Sequence, residues 1–398
     1  MKPTQSTATQ FAIILLSFIF LAGFTINPQT VRQKADLAIS KLKVSIAEGH
    51  DVSSIVPKMK QVKVLGQSGK LDAANRLLDR ILNDFTALNG NNTRHKSRRR
   101  ISDILGSSDL ISIVGFNKDA MEPFVSRDGR YLFFNDFTKS NPHKDIHWAT
   151  RLSARKFQYR GRVKNVNSSQ VDGVPSMDIH GNFYFISTKK YNWFNGFNTV
   201  YSGKFDPKTG TVNDIKPHPE LSLRKAGWVN MDVEISADGQ TLYSTQSYFP
   251  KGAKSPTKSY FFYAKKQGRK FVLQNNSNHI FRRINKDGDL NGDGIVYAAS
   301  ISKDQRTLFL TKAGISSSGT PVFRSYIAKR CHQNAAFGDP LVIRAITGFS
   351  EAPAISVDEQ KLYYHKQLAL AAGKKLERRF HILRLKKKYW PLFGSSCK

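Results

Sequence analysis

The chain has 398 residues, 40% of them hydrophobic and 23% charged, and a formal net charge of +32. This excludes a wholly disordered chain, a collagen and a polytopic membrane protein, and leaves one large or two to three modest domains. Two cysteines exclude a disulfide-dense scaffold and any zinc module built on cysteine pairs.

Residues 11–24, FAIILLSFIFLAGF, form an uncharged apolar run preceded by a single charged side chain, Lys2. The run is short for a membrane span, which needs roughly 20 residues, and fits the apolar region of a secretory signal. Export is therefore expected, to the periplasm or cell envelope. Residues 1–28 act as a signal or, because no clean A-x-A follows Leu21-Ala22-Gly23, as an uncleaved membrane anchor. Residues 29–88 carry apolar side chains at helical spacing (Leu37, Ile39, Leu42, Val44, Ile46, then Leu71, Ala74, Leu77, Leu78, Ile81, Leu82) and read as a short helical module. Gly49 ends its first helix, Asp51 and Ser53 cap a second that tolerates Pro57, and a third begins near Lys70. Residues 89–104 are a linker with Arg94, Lys96, Arg98, Arg99 and Arg100. It is read as a solvated connection, with a polybasic patch for anionic lipid or polysaccharide as the alternative.

Beyond Ile101 the period becomes strand-like and a pattern recurs. MEPFVSRDGRYLFFND (121–136) returns as GVPSMDIHGNFYFIST (173–188), MDVEISADGQTLYSTQ (231–246), YAASISKDQRTLFLTK (297–312) and EAPAISVDEQKLYYHK (351–366). With Asp128, His180, Asp238, Asp304 and Asp358 as equivalents, the intervals are 52, 58, 66 and 54 residues. Each copy holds an alternating strand, a tight turn that needs positive φ, and a second strand rich in Leu, Phe and Tyr. A third strand follows at 145–151, 198–204, 259–266, 322–330 and 379–385, and a weaker fourth is opened by aromatics such as Phe157, Phe271 or Phe337. Four antiparallel strands per repeat of about 50 residues is the arithmetic of a propeller blade. The expected fold is mainly β: a five-bladed propeller over 105–390, with six blades as the alternative, followed by a tail at 391–398. Residues 110–116, LISIVGF, are expected to complete the last blade and close the ring.

The order hS-x-D-G-x-x-L-y-F followed by D-I-x-x-A-x-R resembles the WD40-like PD40 repeats of TolB-type propellers in bacterial envelope proteins. Copy one carries it in Glu122-Pro123, Ser126, Asp128-Gly129 and Asp145-Ile146 to Arg151. The resemblance implies a docking platform, although fold does not fix function.

In a propeller the inner strands start at the rim of the central channel, and there the copies place Glu122, Asp172, Asp232 and Glu351, with Asn230 nearby. Four carboxylates in a basic body suggest an acidic funnel for a cation, a basic peptide or sugar hydroxyls. Residues 287–296, DGDLNGDGIV, place Asp287, Asp289, Asn291 and Asp293 like the first half of a calcium loop, making Ca2+ the one candidate cofactor. Ser300 replaces the bidentate Glu, and an Asx-rich turn is the equal alternative. In an exported chain Cys331 and Cys397 are expected to pair. The ten histidines show no paired metal-binding spacing, and none is assigned to a metal.

The positive charge points to anionic polymers or lipid headgroups; nucleic acid is disfavoured by the export signal and by the lack of a recognition helix. The expected role is noncatalytic docking of an envelope protein, an anionic polysaccharide or a lipid surface. The alternative is a carbohydrate-active enzyme using the channel carboxylates.

Overall fold

A computed structural model describes residues 28–47, 52, 54–90, 105–137, 143–253, 255–286, 294–315, 321–343, 345–346, 350–356, 358–368 and 377–385. The chain divides into a helical unit and a larger β unit. No helix among the described residues is long and apolar enough to cross a membrane.

The helical unit comprises α1 (Pro28–Ala47), α2 (Val56–Gln67) and α3 (Leu71–Gly90), with α1 and α2 both packed on α3. The α3 stripe is the one its spacing dictates: Leu71, Ala74, Leu77, Leu78 and Ile81 are buried. In α1 the buried face is Val31, Ala35, Ala38 and Ile39, while Leu37 points outward. The α2 helix has Pro57 in its first turn, but the residue at its cap is Ile55, with no side-chain cap; the expected caps, Asp51 and Ser53, lie outside the described residues.

The β unit opens with β1 (Leu105–Leu110) and β2 (Ser112–Val114). Blade 1 follows as β3 (Asp119–Val125), β4 (Tyr131–Phe137), β5 (Ile146–Arg151) and β6 (Lys156–Arg162). Blade 2 is β7 (Asp172–Met177), β8 (Asn182–Ser187), β9 (Val200–Asp206) and β10 (Thr211–Pro217). Blade 3 is β11 (Trp228–Ile235), β12 (Thr241–Tyr248), β13 (Lys258–Gln267) and β14 (Lys270–Leu273). Blade 4 is β15 (Ile295–Ile301), β16 (Thr307–Ile315), β17 (Pro321–Lys329) and β18 (Leu341–Val342). Blade 5 contributes β19 (Ser350–Ile355), β20 (Lys361–Leu368) and β21 (Glu377–Leu385). Its outer strand is β1, antiparallel to β21, so the start of the unit closes the ring on its end.

The closing strand is therefore Leu105–Leu110, not the expected 110–116. The segment after it, β2, adds instead a parallel fifth strand to blade 1 beside β6. A ring closed by its first strand leaves one fewer edge for intermolecular pairing. The 66-residue interval between copies three and four holds two single-turn helices, α4 (Ser277–Ile280) and α5 (Arg282–Asn285), rather than a sixth sheet. Ile280, Phe281 and Ile284 of this insertion fill a core with Tyr243, Phe261 and Leu308 from blades 3 and 4.

Inner faces of neighbouring blades pack through large apolar side chains. Phe133 of blade 1 meets Phe183 and Phe205 of blade 2 edge to face, with centroids 5.0 and 4.9 Å apart. Four of the five hairpin turns share one chemistry: the Ser126 hydroxyl donates to Asp128 and accepts the Tyr131 N–H, and Ser236, Ser302 and Ser356 repeat this. Blade 2 departs from it. Asp178 stands in the serine position and accepts the His180 and Asn182 N–H groups, so His180 is not the acidic member of that turn. Where Gly129 and Gly239 supply positive φ at +74° and +71°, Gln305 and Glu359 adopt it at +58° and +53°.

Candidate functional site

Every inner strand carries a β-bulge near its start, where two residues face one on the second strand: 122–123, 174–175, 231–232, 298–299 and 352–353. In four of the five the first bulge residue has positive φ: Glu122 (+52°), Val174 (+51°), Ala298 (+55°) and Ala352 (+51°). For a residue with a Cβ that conformation costs roughly 1–2 kcal/mol, so the surroundings must hold it. A side chain from the preceding blade does so by accepting the strained residue's N–H. Asn135 accepts from Val174, Asp232 from Ala298, Thr311 from Ala352 and His365 from Glu122. These latches run around the channel and stitch blade to blade.

The bulges line a narrow central channel with about 30 Å³ of free space, room for little more than water, whereas small-molecule pockets run from about 300 Å³ upward. Of the four carboxylates expected at the rim, only Glu122 lines this space; Glu234, which the sequence reading passed over, is the other acidic lining residue. The four occupy different register positions and do different work.

Asp232 is a latch. Its Oδ1 accepts the Thr245 N–H and hydroxyl at 2.8 and 2.9 Å, and its Oδ2 accepts the Ala298 N–H. Full burial outweighs these bonds and pushes its carboxyl up to about 6. Asp172 is buried too. Ser168 donates its N–H and hydroxyl to Oδ2 at 2.5 and 2.7 Å, the Ser187 hydroxyl also supports the charged form, and burial outweighs both and raises the carboxyl.

Glu122 and Glu351 lie on the adjacent inner strands β3 and β19 and are joined through His365. The ring's Nδ1 accepts the Glu122 N–H at 3.3 Å, and its Nε2 donates to Glu351 Oε2 at 3.0 Å. The Tyr297 hydroxyl donates to Glu351 Oε1, and Lys144 pairs with Glu122 Oε1 at 2.8 Å. Burial alone would raise the Glu351 carboxyl; the His365 hydrogen bond, the Tyr297 hydroxyl and the Lys144 charge more than reverse that and hold it low. Burial and the Glu351 charge keep the Tyr297 phenol protonated far above its ordinary range. Glu122 Oε2 is left buried and without a partner, on a residue that lines the channel.

Deeper along the channel Glu234 joins four blades. Its Oε1 accepts Arg127 Nη2 at 2.9 Å and the Ile301 N–H at 3.2 Å, and its Oε2 accepts the Ser176 hydroxyl at 2.6 Å. On the mouth side of blades 2 and 3 an aromatic ledge remains partly exposed. Trp228 stacks on Tyr260 with centroids 6.0 Å apart, and Trp193 meets the exposed Phe194 at 4.9 Å. Trp148 is buried between blades 1 and 2.

Lys144, Tyr297, His365 and Glu234 were all missed from sequence. One signal was available. Seven residues after each turn equivalent stand Asn135, Ser187, Thr245, Thr311 and His365, a column of hydrogen-bonding side chains all fully buried. Asp287, Asp289, Asn291 and Asp293 lie outside the described residues. Cys331 is disulfide-bonded, and Cys397 lies outside the described residues.

No family model matches the chain, and no curated protein sequence matches it. Among solved structures it is similar to TolB from Acinetobacter baumannii, with 15% identity over 67% of this chain and 54% of that one and a TM-score of 0.36. The chain thus spans about half of TolB's length. It is also similar to a glycoside hydrolase (12% identity, 72% of this chain, 95% of that one, TM-score 0.47) and to Zg3597, a family 117 glycoside hydrolase of the marine bacterium Zobellia galactanivorans (12%, 71%, 91%, 0.44). Likeness at this level goes no further than the propeller architecture.

Proposed function

We propose that this propeller is a carbohydrate-active protein of the cell envelope that cleaves glycosidic bonds at its channel mouth. The observation that carries the reading is the Glu122–His365–Glu351 constellation: two carboxyl groups on adjacent inner strands, one with an unpartnered oxygen and the other held ionised by Tyr297, His365 and Lys144. Glycoside hydrolysis needs two carboxyl groups, one to protonate the departing oxygen and one to draw the proton from the water that adds to the anomeric carbon. A sugar has polar edges and apolar C–H faces, and the Trp228–Tyr260 stack of blade 3 offers a surface for the latter. In this reading the ligand binds over the mouth, because the channel itself is too small to admit it. Envelope placement rests on the apolar run at residues 11–24.

A second reading is noncatalytic docking of an envelope protein or anionic polymer, favoured by the engagement of Asp232 and Asp172 in holding strands and by the net charge of +32. Reducing-end release from a panel of neutral and anionic polysaccharides separates the two. The enzyme reading expects turnover that Glu122→Gln and Glu351→Gln each lower by at least about a hundredfold, while Trp228→Ala weakens binding. Saturable binding without any product, unchanged in both glutamine variants, would retire catalysis and leave docking.

A further inference from the structure

Away from the channel axis, at the mouth-side end of blade 1, the end of β4 and the start of β5 bring Asp136, Asp145 and His147 together. One oxygen or nitrogen from each lies within 4.8 Å of the others. Asp136 and His147 are buried, and the His147 side chain is only 3% exposed. Its Nε2 is buried with no hydrogen-bond partner and faces Asp136 Oδ2 at 3.5 Å. That is too long for an N–H···O bond, which runs from about 2.7 to 3.2 Å. It matches the separation of two ligands on one tetrahedral ion: bonds of about 2.0–2.1 Å set ligand atoms about 3.4 Å apart.

The surroundings are those of a built ligand set. His147 Nδ1 lies 2.8 Å from the Tyr159 hydroxyl, and when Nδ1–H donates to that oxygen the outer hydrogen bond holds a metal-binding imidazole with Nε2 bare. The ring stacks on Phe134 at 5.5 Å and meets the edge of Phe116 at 5.2 Å, a dry aromatic wall. Asp136 Oδ1 accepts the Asp145 N–H at 3.0 Å, which aims Oδ2 at the imidazole. Lys118 approaches Asp136 Oδ2 at 3.6 Å and Arg162 pairs with Asp145 Oδ1 at 2.6 Å. Both cationic side chains are more than half exposed, at 53% and 55%, so either can swing aside without opening the core.

We propose that Asp136, Asp145 and His147 bind a divalent transition-metal ion of the zinc class, with water completing the tetrahedron. An imidazole with two carboxylates suits Zn2+ and does not suit the all-oxygen preference of Ca2+ and Mg2+. The ion ties the end of β4 to the start of β5. Lys144, the residue before Asp145, carries the ammonium that holds Glu122, so the ion also fixes the approach to the channel mouth.

The test uses the full chain, stripped with chelator and titrated with ZnCl2 alone. Calorimetry and metal analysis after desalting should find one zinc per chain at this site, and cobalt(II) should give the intense visible absorption of a tetrahedral complex. Asp145→Asn, whose side chain is partly exposed and not needed for packing, should lower zinc affinity by roughly tenfold or more, and Tyr159→Phe by about 10–100-fold through the imidazole. His147→Gln should abolish binding; if it fails to fold, the other two variants decide. No zinc retained by the wild-type chain, or affinity unchanged in Asp145→Asn and Tyr159→Phe, would overturn the assignment. Neither readout involves glycoside turnover, so the result stands apart from the channel-mouth reading.

Discussion

Replacing Asp232 with asparagine tests whether this carboxyl is a latch whose burial works against its own ionisation. In the folded chain it accepts both Thr245 donors and the Ala298 N–H. Its carboxyl is lifted from the ordinary 3.8 to about 6 by burial. Between about pH 4 and pH 6 the folded state therefore binds more protons than the unfolded one, and stability falls as pH rises through that window. A shift of about two units, at 1.36 kcal/mol each, makes the loss about 3 kcal/mol, complete above pH ~7. Asparagine keeps an acceptor for Thr245 but turns an NH2 toward the Ala298 N–H, a pH-independent cost of roughly 1–3 kcal/mol. Urea unfolding followed by tryptophan fluorescence, in steps from about pH 4 to 7, gives the difference between wild type and Asp232→Asn. That difference should shrink by about 3 kcal/mol across the window. A constant difference, or one that grows with pH, would mean that the carboxylate is stabilised in its charged form and would refute the argument.

Glu351 has the opposite sign. Its carboxyl is held low in the fold, so its contribution is complete above about pH 5 and disappears as pH falls through the depressed value. Wild type should lose more stability than Glu351→Gln in acid melts followed by circular dichroism. Glu234→Ala removes a buried acceptor shared by Arg127, Ser176 and the Ile301 N–H and should cost about 3–5 kcal/mol in chemical denaturation, because it leaves the Arg127 charge buried and unpaired. Deleting residues 105–110 strips β1 from β21 and exposes an edge; size-exclusion chromatography should show self-association, and a monomer as stable as wild type would argue that the closure is dispensable.

The blade count was legible because it rests on hairpins whose two periodicities, alternating strand and Asp-Gly turn, are local. The third strands also emerged within a few residues of their observed bounds: 145–151 is realised as Ile146–Arg151 and 379–385 as Glu377–Leu385. What failed was set by distant pairing. Leu110–Phe116 reads as apolar as any outer strand, but closure falls to the more polar LGSSDL, because its register with Leu385 to His381 is fixed by where the ring ends. Phe337 opens no fourth strand; it packs on Phe281 of the helical insertion, and blade 4 ends in the two-residue β18. Composition could not foresee that competition for the same ring.

The acidic residues of the candidate site were legible in the sequence, but their geometry was not. Counting carboxylates at strand starts assumed that the repeats keep one register, yet Glu122 begins a bulge, Asp232 ends one, Glu351 precedes one and Asp172 lies further upstream. A shift of one residue turns a strand side chain to the opposite face, so four aligned acids became one channel-lining group, one hydrogen-bonded neighbour and two interior struts. The same reasoning explains His365. It fills the buried polar column shared with Asn135 and Thr311 and meets the same need, an acceptor for a strained N–H, but alone in that column it has a second ring nitrogen to spend. That nitrogen reaches Glu351 and couples a blade latch to the acid at the mouth. His365→Gln would satisfy the Glu122 N–H through its carbonyl and still donate to Glu351 through its amide, but would bring no imidazole. Latching would survive and any acid–base role would not, which separates the two uses of one side chain in a single variant.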